Sequence, residues 1–197
     1  MQVTFFQRLG AYIIDIIIIG IISSIVCIGL PTKESTVEEE ISKLSEKYTS
    51  KEITTTEFYS SYSKLLYQEQ KDNMLETGIS LVLTIGYFIV FQYLNKGQTI
   101  GKKLLKIRVV NNDDQKPAKM LAGIIRSIIT LGIASSVLSL ILLNIFNKKT
   151  YVPCYMVISA IETIFIIITV IFIVFRKDGR GLHDIMAKTT VVKEEGR

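Results

Sequence analysis

The residues that could do chemistry in this chain are ionisable groups in places where charge is costly. Arg8 and Asp15 stand in "FQRLGAYIIDIIII", Arg126 in "AGIIRSII", Glu162 in "ISAIETIFII", and Asp184 in the tail "GRGLHDIMAKTT". An aspartate near the centre of a membrane-spanning helix costs on the order of 2.5–3.5 kcal/mol on insertion scales. Such a group faces the protein interior or a wet path and finds a partner. Two kinds of chemistry follow. A carboxylate that exchanges a proton mid-membrane can couple transport, whereas one locked to an arginine fixes helix register.

Helical geometry separates the candidates. Arg8 and Asp15 are seven positions apart, so they share a helix face about 20° wide but sit roughly 10 Å apart along the axis. Arg8 can snorkel to the interface, and Asp15 cannot. Asp15 lies about six residues, or ~9 Å, from the inner edge of its run, and Arg126 the same distance from Met120. The shared depth predicts an Asp15–Arg126 pair, with Asp184 of the tail reaching Arg8 below it. Glu162 falls slightly to the outer side of the midplane, with no basic residue at its level, and its depth differs from that of Asp15 by roughly 10 Å.

The elements that must position these groups are read from the apolar runs. The chain has 197 residues, 49% of them hydrophobic, and a formal net charge of +5. The apolar residues are bunched at about 9–30, 77–94, 120–146 and 154–175, each close to the ~20 residues that cross a ~30 Å hydrocarbon core. Runs apolar on every face are not surface helices of a soluble domain. The expected fold is therefore an all-α integral membrane protein, a four-transmembrane-helix bundle formed by one domain over 1–197. The first run has an acid inside a long apolar core and no small-x-small cleavage site, so it reads as an uncleaved helix and not as a signal peptide.

Charge sets the expected orientation. The segment at 96–119 carries Lys96, Lys102, Lys103, Lys106, Arg108, Lys116 and Lys119, and the tail at 176–197 carries six more cations. The loop at 31–76 has six lysines against ten acids. Cationic connections stay in the cytoplasm, which places both termini inside and 31–76 outside. The positive charge then reads as a topology signal with lipid contact and not as a nucleic-acid footprint. Cys27 and Cys154 both fall near the outer ends of their helices. A disulfide between them is conceivable, though small apolar thiols are the commoner case.

The connections carry local signals. In the outer loop, Val37, Ile41, Leu44 and Tyr48 recur at helical spacing behind Ser35-x-x-Glu38, and Thr54-x-x-Glu57 offers a second start before Phe58, Tyr62, Leu65 and Leu66. This predicts an extracytoplasmic helical hairpin whose second arm leads into the second span. Inside, Gly97 and Gly101 break the second helix, and Lys102, Lys103 and Lys106 alternate with apolar residues as in a headgroup-level segment. Ile107–Val110 and Thr189–Val192 are β-type runs, expected to pair as a small cytoplasmic element. Gly20/Ser24, Gly123/Ser127, Gly132/Ser136 and Ser135/Ser139 are small-x-x-x-small pairs that permit close helix contact within a chain or between copies.

These motifs, in this order, resemble the RDD family of bacterial membrane proteins, named for one arginine and two aspartates. "FQRLGAYIIDIII", "GQTIGKKLLKIRVV", Arg126 and "GRGLHDIMAKTTVV" carry the resemblance. Arg8 matches the family arginine, Asp15 the first aspartate and Asp184 the second, while Gly97, Gln98, Thr99, Gly101, Lys102 and His183 fall in the shared motifs. The resemblance implies a multi-pass protein of the bacterial cell membrane, and for some members cation/proton antiport. Two readings stay open. One is a small cation/proton-coupled transporter that uses Asp15 and Glu162 as stations. The other is a non-transporting assembly or interaction partner, acting on itself as a homo-oligomer or on another membrane protein, in which the buried charges are structural. No inverted repeat is evident between the halves, which counts against transport. Enzymatic chemistry, a metal and a cofactor are not expected. His183 is the single histidine, no nucleophile–base set surrounds it, and His183-Asp184 reads as a polar cap on a short helix.

Overall fold

The computed structural model describes residues 3–30 and 37–194. It is mostly helical. A capping box opens α1 (Phe5–Cys27): the Gln7 amide donates to the Thr4 hydroxyl at 3.3 Å, and the Gln7 side chain accepts from the Thr4 amide at 3.2 Å. Then come α2 (Val37–Thr49) and α3 (Thr55–Asp72), which pack as a hairpin. The expected Thr54/Glu57 box opens α3, with the Thr54 amide donating to Glu57 at 2.8 Å. The Ser35 half of the other expected box lies outside the described residues.

The second apolar run forms one rod from α4 (Met74–Ile85) through a π-helical turn (Gly86–Phe91) into α5 (Gln92–Leu94). The chain leaves it through Gly97, whose φ of 88° and contact with the Val109 carbonyl leave no room for a side chain. It then makes α6 (Ile100–Leu104) and β1 (Ile107–Asn111).

Among the described residues, three helices are long and apolar enough to cross a membrane: α1, the Met74–Leu94 rod, and α9 (Lys148–Phe175). The run at 120–146 is not the single helix expected. It is a pair, α7 (Met120–Thr130) and α8 (Ile133–Ile145), bent by 70°. The break falls at Gly132, in the left-handed region at φ 62°, where glycine avoids the Cβ clash other residues meet. Among the described residues the candidate spans number three, or four if the bent pair counts as one. The chain ends in α10 (Leu182–Met186) and β2 (Thr189–Lys193). β2 pairs antiparallel with β1, Val109 facing Val191, which is the strand pair the two β-type runs predict.

The largest buried apolar cluster lies where this small sheet meets the bundle. Ala11, Ile107, Val109, Ala122 and Val191 are buried in one cluster there, while Ile19, Tyr87 and Phe88 form a second in mid-bundle. At the far end Leu143, Tyr151 and Val152 make a third, against Leu66 and Tyr67 of α3. Ile17, Ile21 and Ile25 of α1, and Val157, Ile161 and Ile164 of α9, point outward. Such continuous apolar surface suits hydrocarbon and would be an aggregation hazard in water. The small-residue pairs do not all serve packing, because a Cβ at Gly20 or Gly123 would meet open space. Cys27 and Cys154 are free thiols.

Candidate functional site

Arg8, Asp15, Arg126 and Asp184 converge at the end of the bundle that carries the small sheet, in two adjoining constellations. In the first, Asp15 is 1% exposed and is held by neutral donors. Its carboxylate accepts from the Tyr87 hydroxyl at 2.6 Å, the Thr99 hydroxyl at 2.5 Å and the Gly101 amide at 2.7 Å. The local sequence explains each donor. The π-helical turn presents Tyr87 on the buried face, and the Tyr87 oxygen also takes the Ile100 amide at 3.1 Å. Thr99 caps α6 and turns its hydroxyl inward. Gly101 lets α6 touch α1, since a Cβ there would strike the Ala11 carbonyl oxygen.

The second constellation centres on Asp184, which is fully buried. It bridges Arg8 of α1, at 2.7 Å, and Arg126 of α7, and it accepts from the Gly181 amide at 3.1 Å. Arg126 also donates to Thr189 at the start of β2, at 2.8 Å. A short helix cap, the bland expectation for "HD", is therefore present, but the same carboxylate ties together α1, α7 and the tail.

The expected Asp15–Arg126 pair does not form. The two residues lie at similar depth as counted, but Arg126 turns to Asp184, and the loop at 97–101 folds back into the bundle to fill the space around Asp15. The expected Asp184–Arg8 contact does form. Lys102 also departs from expectation. It is half-buried against the bundle, and its ammonium donates to Gln92. Burial, followed by the nearby Arg126, lowers its pKa to about 7, with Asp15 pulling the other way. His183 is buried and held well below its usual pKa, first by desolvation and then by Arg126, Arg8 and Lys102, so it is neutral at pH 7. Gln98 braces the sheet, its amide donating to the Ile107 carbonyl at 3.0 Å.

Glu162 stands apart from both constellations, half-buried midway along α9. Its carboxylate rests against Gly132, at the break between α7 and α8, which the Ser135 hydroxyl also approaches. Tyr12 of α1 is within its electrostatic reach. No hydrogen bond or ion pair forms on it among the described residues.

Sequence reasoning missed Tyr87, Thr189 and Gly132. Tyr87 carries the clearest signal, a hydroxyl in "IGYFIVF", which must find a partner once buried. Thr189 and Gly132 had only their residue types to offer. Among the described residues no cluster of His, Cys, Asp and Glu could hold a metal.

The model of the RDD family matches residues 3–188, nearly the whole chain. No curated protein and no solved structure matches it.

Proposed function

The chain belongs to the RDD family, and on that premise we propose that it is a small cation/proton-coupled transporter with Glu162 as its exchangeable carboxylate. The observation that carries this reading is the lone carboxylate of Glu162 at the Gly132 helix break. Discontinuous helices in transporters expose backbone ends that bind ions beside acidic groups, and an intramembrane acid without a structural partner is a functional candidate. Asp15 and Asp184 are then not stations. Three donors saturate the first and two guanidiniums hold the second, so they keep α1, α6, α7 and the tail in place and leave the exchange to Glu162. Both termini face the cytoplasm of a bacterial cell and the α2–α3 hairpin lies outside, as the distribution of Lys and Arg supports.

The test is flux in proteoliposomes under opposed Na⁺ or K⁺ and pH gradients. Glu162→Gln is expected to abolish coupled flux with little change in melting temperature, while Asp15→Asn lowers the melting temperature first. Coupled flux that persists in Glu162→Gln would remove Glu162 from the mechanism. A second reading, a non-transporting assembly partner, draws its support from the saturation of Asp15 and Asp184. It requires that the native protein show no coupled flux at all.

A further inference from the structure

Beside the Asp184 clamp lies a cavity of about 340 Å³. One wall is Phe5, Leu9 and Tyr12 of α1, and the other is Ile166, Val170 and Ile173 of α9. Its polar end is cationic: Arg8, Lys102 and Arg126 reach it, together with His183, and no carboxylate lines it. Asp15 and Asp184 lie behind these side chains with their oxygens already engaged.

The cavity also gathers unsatisfied polar atoms. Arg8 Nε, Thr169 Oγ1 and His183 Nδ1 are buried without a hydrogen-bond partner, and all three residues line it. Thr169 is 4% exposed and His183 7%. A buried donor or acceptor left unpaired costs on the order of 1–3 kcal/mol, so three on one cavity mark a place built to be filled by a polar group.

Entry is from the side. α1 packs on α4 and α6, whereas α9 packs on α3, α7, α8 and α10, which leaves a window between α1 and α9. Leu9, Tyr12, Ile166 and Val170 frame it at 38–41% exposure. A window of this kind faces the hydrocarbon and not water.

We infer that this cavity binds an anionic phospholipid, its phosphate at the Arg8–Thr169–His183 end and an acyl chain between α1 and α9. Apolar walls suit the chain, and a cationic end with no acid suits the phosphate. Guanidinium groups bind phosphate oxygens through charge-assisted hydrogen bonds, and the Thr169 hydroxyl supplies a further donor. The assignment does not rest on transport, because Glu162 is outside the cavity lining.

The full chain, purified in detergent, is titrated with dioleoyl phosphatidylglycerol, dioleoyl phosphatidylcholine or inorganic phosphate while its melting temperature is followed. A ligand that binds only the folded state raises that temperature with concentration. Phosphatidylglycerol is expected to saturate at a concentration about tenfold below phosphatidylcholine, with inorganic phosphate giving no shift over the same range. Thr169→Val, near-isosteric, and Val170→Trp, which closes the window, should each weaken the phosphatidylglycerol response several-fold without lowering the lipid-free melting temperature. Equal responses to the two lipids, or a phosphatidylglycerol response unchanged in both variants, would overturn the proposal. So would inorganic phosphate acting as strongly as the lipid, which would assign the site to the free anion.

Discussion

Two carboxylates at one end of this bundle are buried by opposite means. Asp184 meets two full positive charges, from Arg8 and Arg126. Asp15, one layer deeper, meets dipoles only: two hydroxyls and a backbone amide. The first arrangement joins separate elements, α1, α7 and the tail, by attraction that acts over distance. The second is short-ranged and depends on the fit of α6 and the π-helical turn against α1. The difference suggests a division of labour in which charge gathers the elements and hydrogen bonding sets their final register.

The comparison is broken most severely at Asp184. Asp184→Ala strands two guanidiniums, and losing one partner of a buried ion pair typically costs ~3–5 kcal/mol. It should produce the largest fall in stability of any substitution here, read as melting temperature or as a shift in denaturant midpoint. A double-mutant cycle then identifies the partner. Arg126→Gln with Asp184→Asn should cost clearly less than the sum of the single changes, while Arg126→Gln with Asp15→Asn should add to within about 0.5 kcal/mol. Additivity in the first pair, or strong coupling in the second, would restore the pairing that depth alone predicts.

At Asp15 the expected loss is smaller. Asp15→Asn keeps the shape but turns an amide NH₂ toward hydroxyl and backbone donors, and hydrogen bonds to a charged group are worth about 1.5–3 kcal/mol. Tyr87→Phe removes one of those donors and should cost about 1.5 kcal/mol or more, since the Asp15 oxygen it leaves stays buried. If Tyr87→Phe proves neutral in a stability measurement, the dipole account of Asp15 is wrong.

Lys102 sits between the two constellations and gives the subtlest test. Its pKa falls from 10.5 to about 7 on folding. Between those values the unfolded chain holds the proton and the folded chain does not. Stability therefore rises with pH across the window, because the unfolded state binds more protons there. Melting temperature measured from about pH 7 upward should climb more steeply for the native protein than for Lys102→Met. Parallel curves would mean that the ammonium is better solvated than its place beside Gln92 implies.

Much of the scaffold was legible in the residues. Composition and run length announced the long apolar helices, Thr54 and Glu57 announced the start of α3, and the β-type residues in 107–110 and 189–192 announced the sheet. The Asp15 site was not, for a physical reason. Counting depth along apolar runs finds charges but not neutral donors, and the loop bearing Thr99 and Gly101 reads as interfacial because lysines surround it. Only the close approach of α6 to α1, which Gly101 permits, brings that loop inside. The break at Gly132 was hidden differently. One glycine among aliphatic residues hardly alters hydropathy, so a uniform run conceals a left-handed residue that divides it. Arg8 and Asp184 were easier to match, because a cation at a helix start and an acid in the adjacent tail meet at the same surface.

The π-helical turn between Gly86 and Phe91 has a consequence for how this chain tolerates length changes. Within it the Gln92 amide reaches back five residues to the Tyr87 carbonyl, so Tyr87, which serves Asp15, and Gln92, which serves Lys102, come to lie one above the other. The turn is in effect a single inserted residue. Deleting one residue there would restore an ordinary α-helix in which Tyr87 and Gln92 become four residues apart, about 40° around the axis, so Gln92 and the entry to the Gly97 loop would stay close to the buried face. A one-residue deletion in this turn thus nearly keeps the phase of the rest of the span, whereas the same deletion in α4 would rotate all that follows by about 100°.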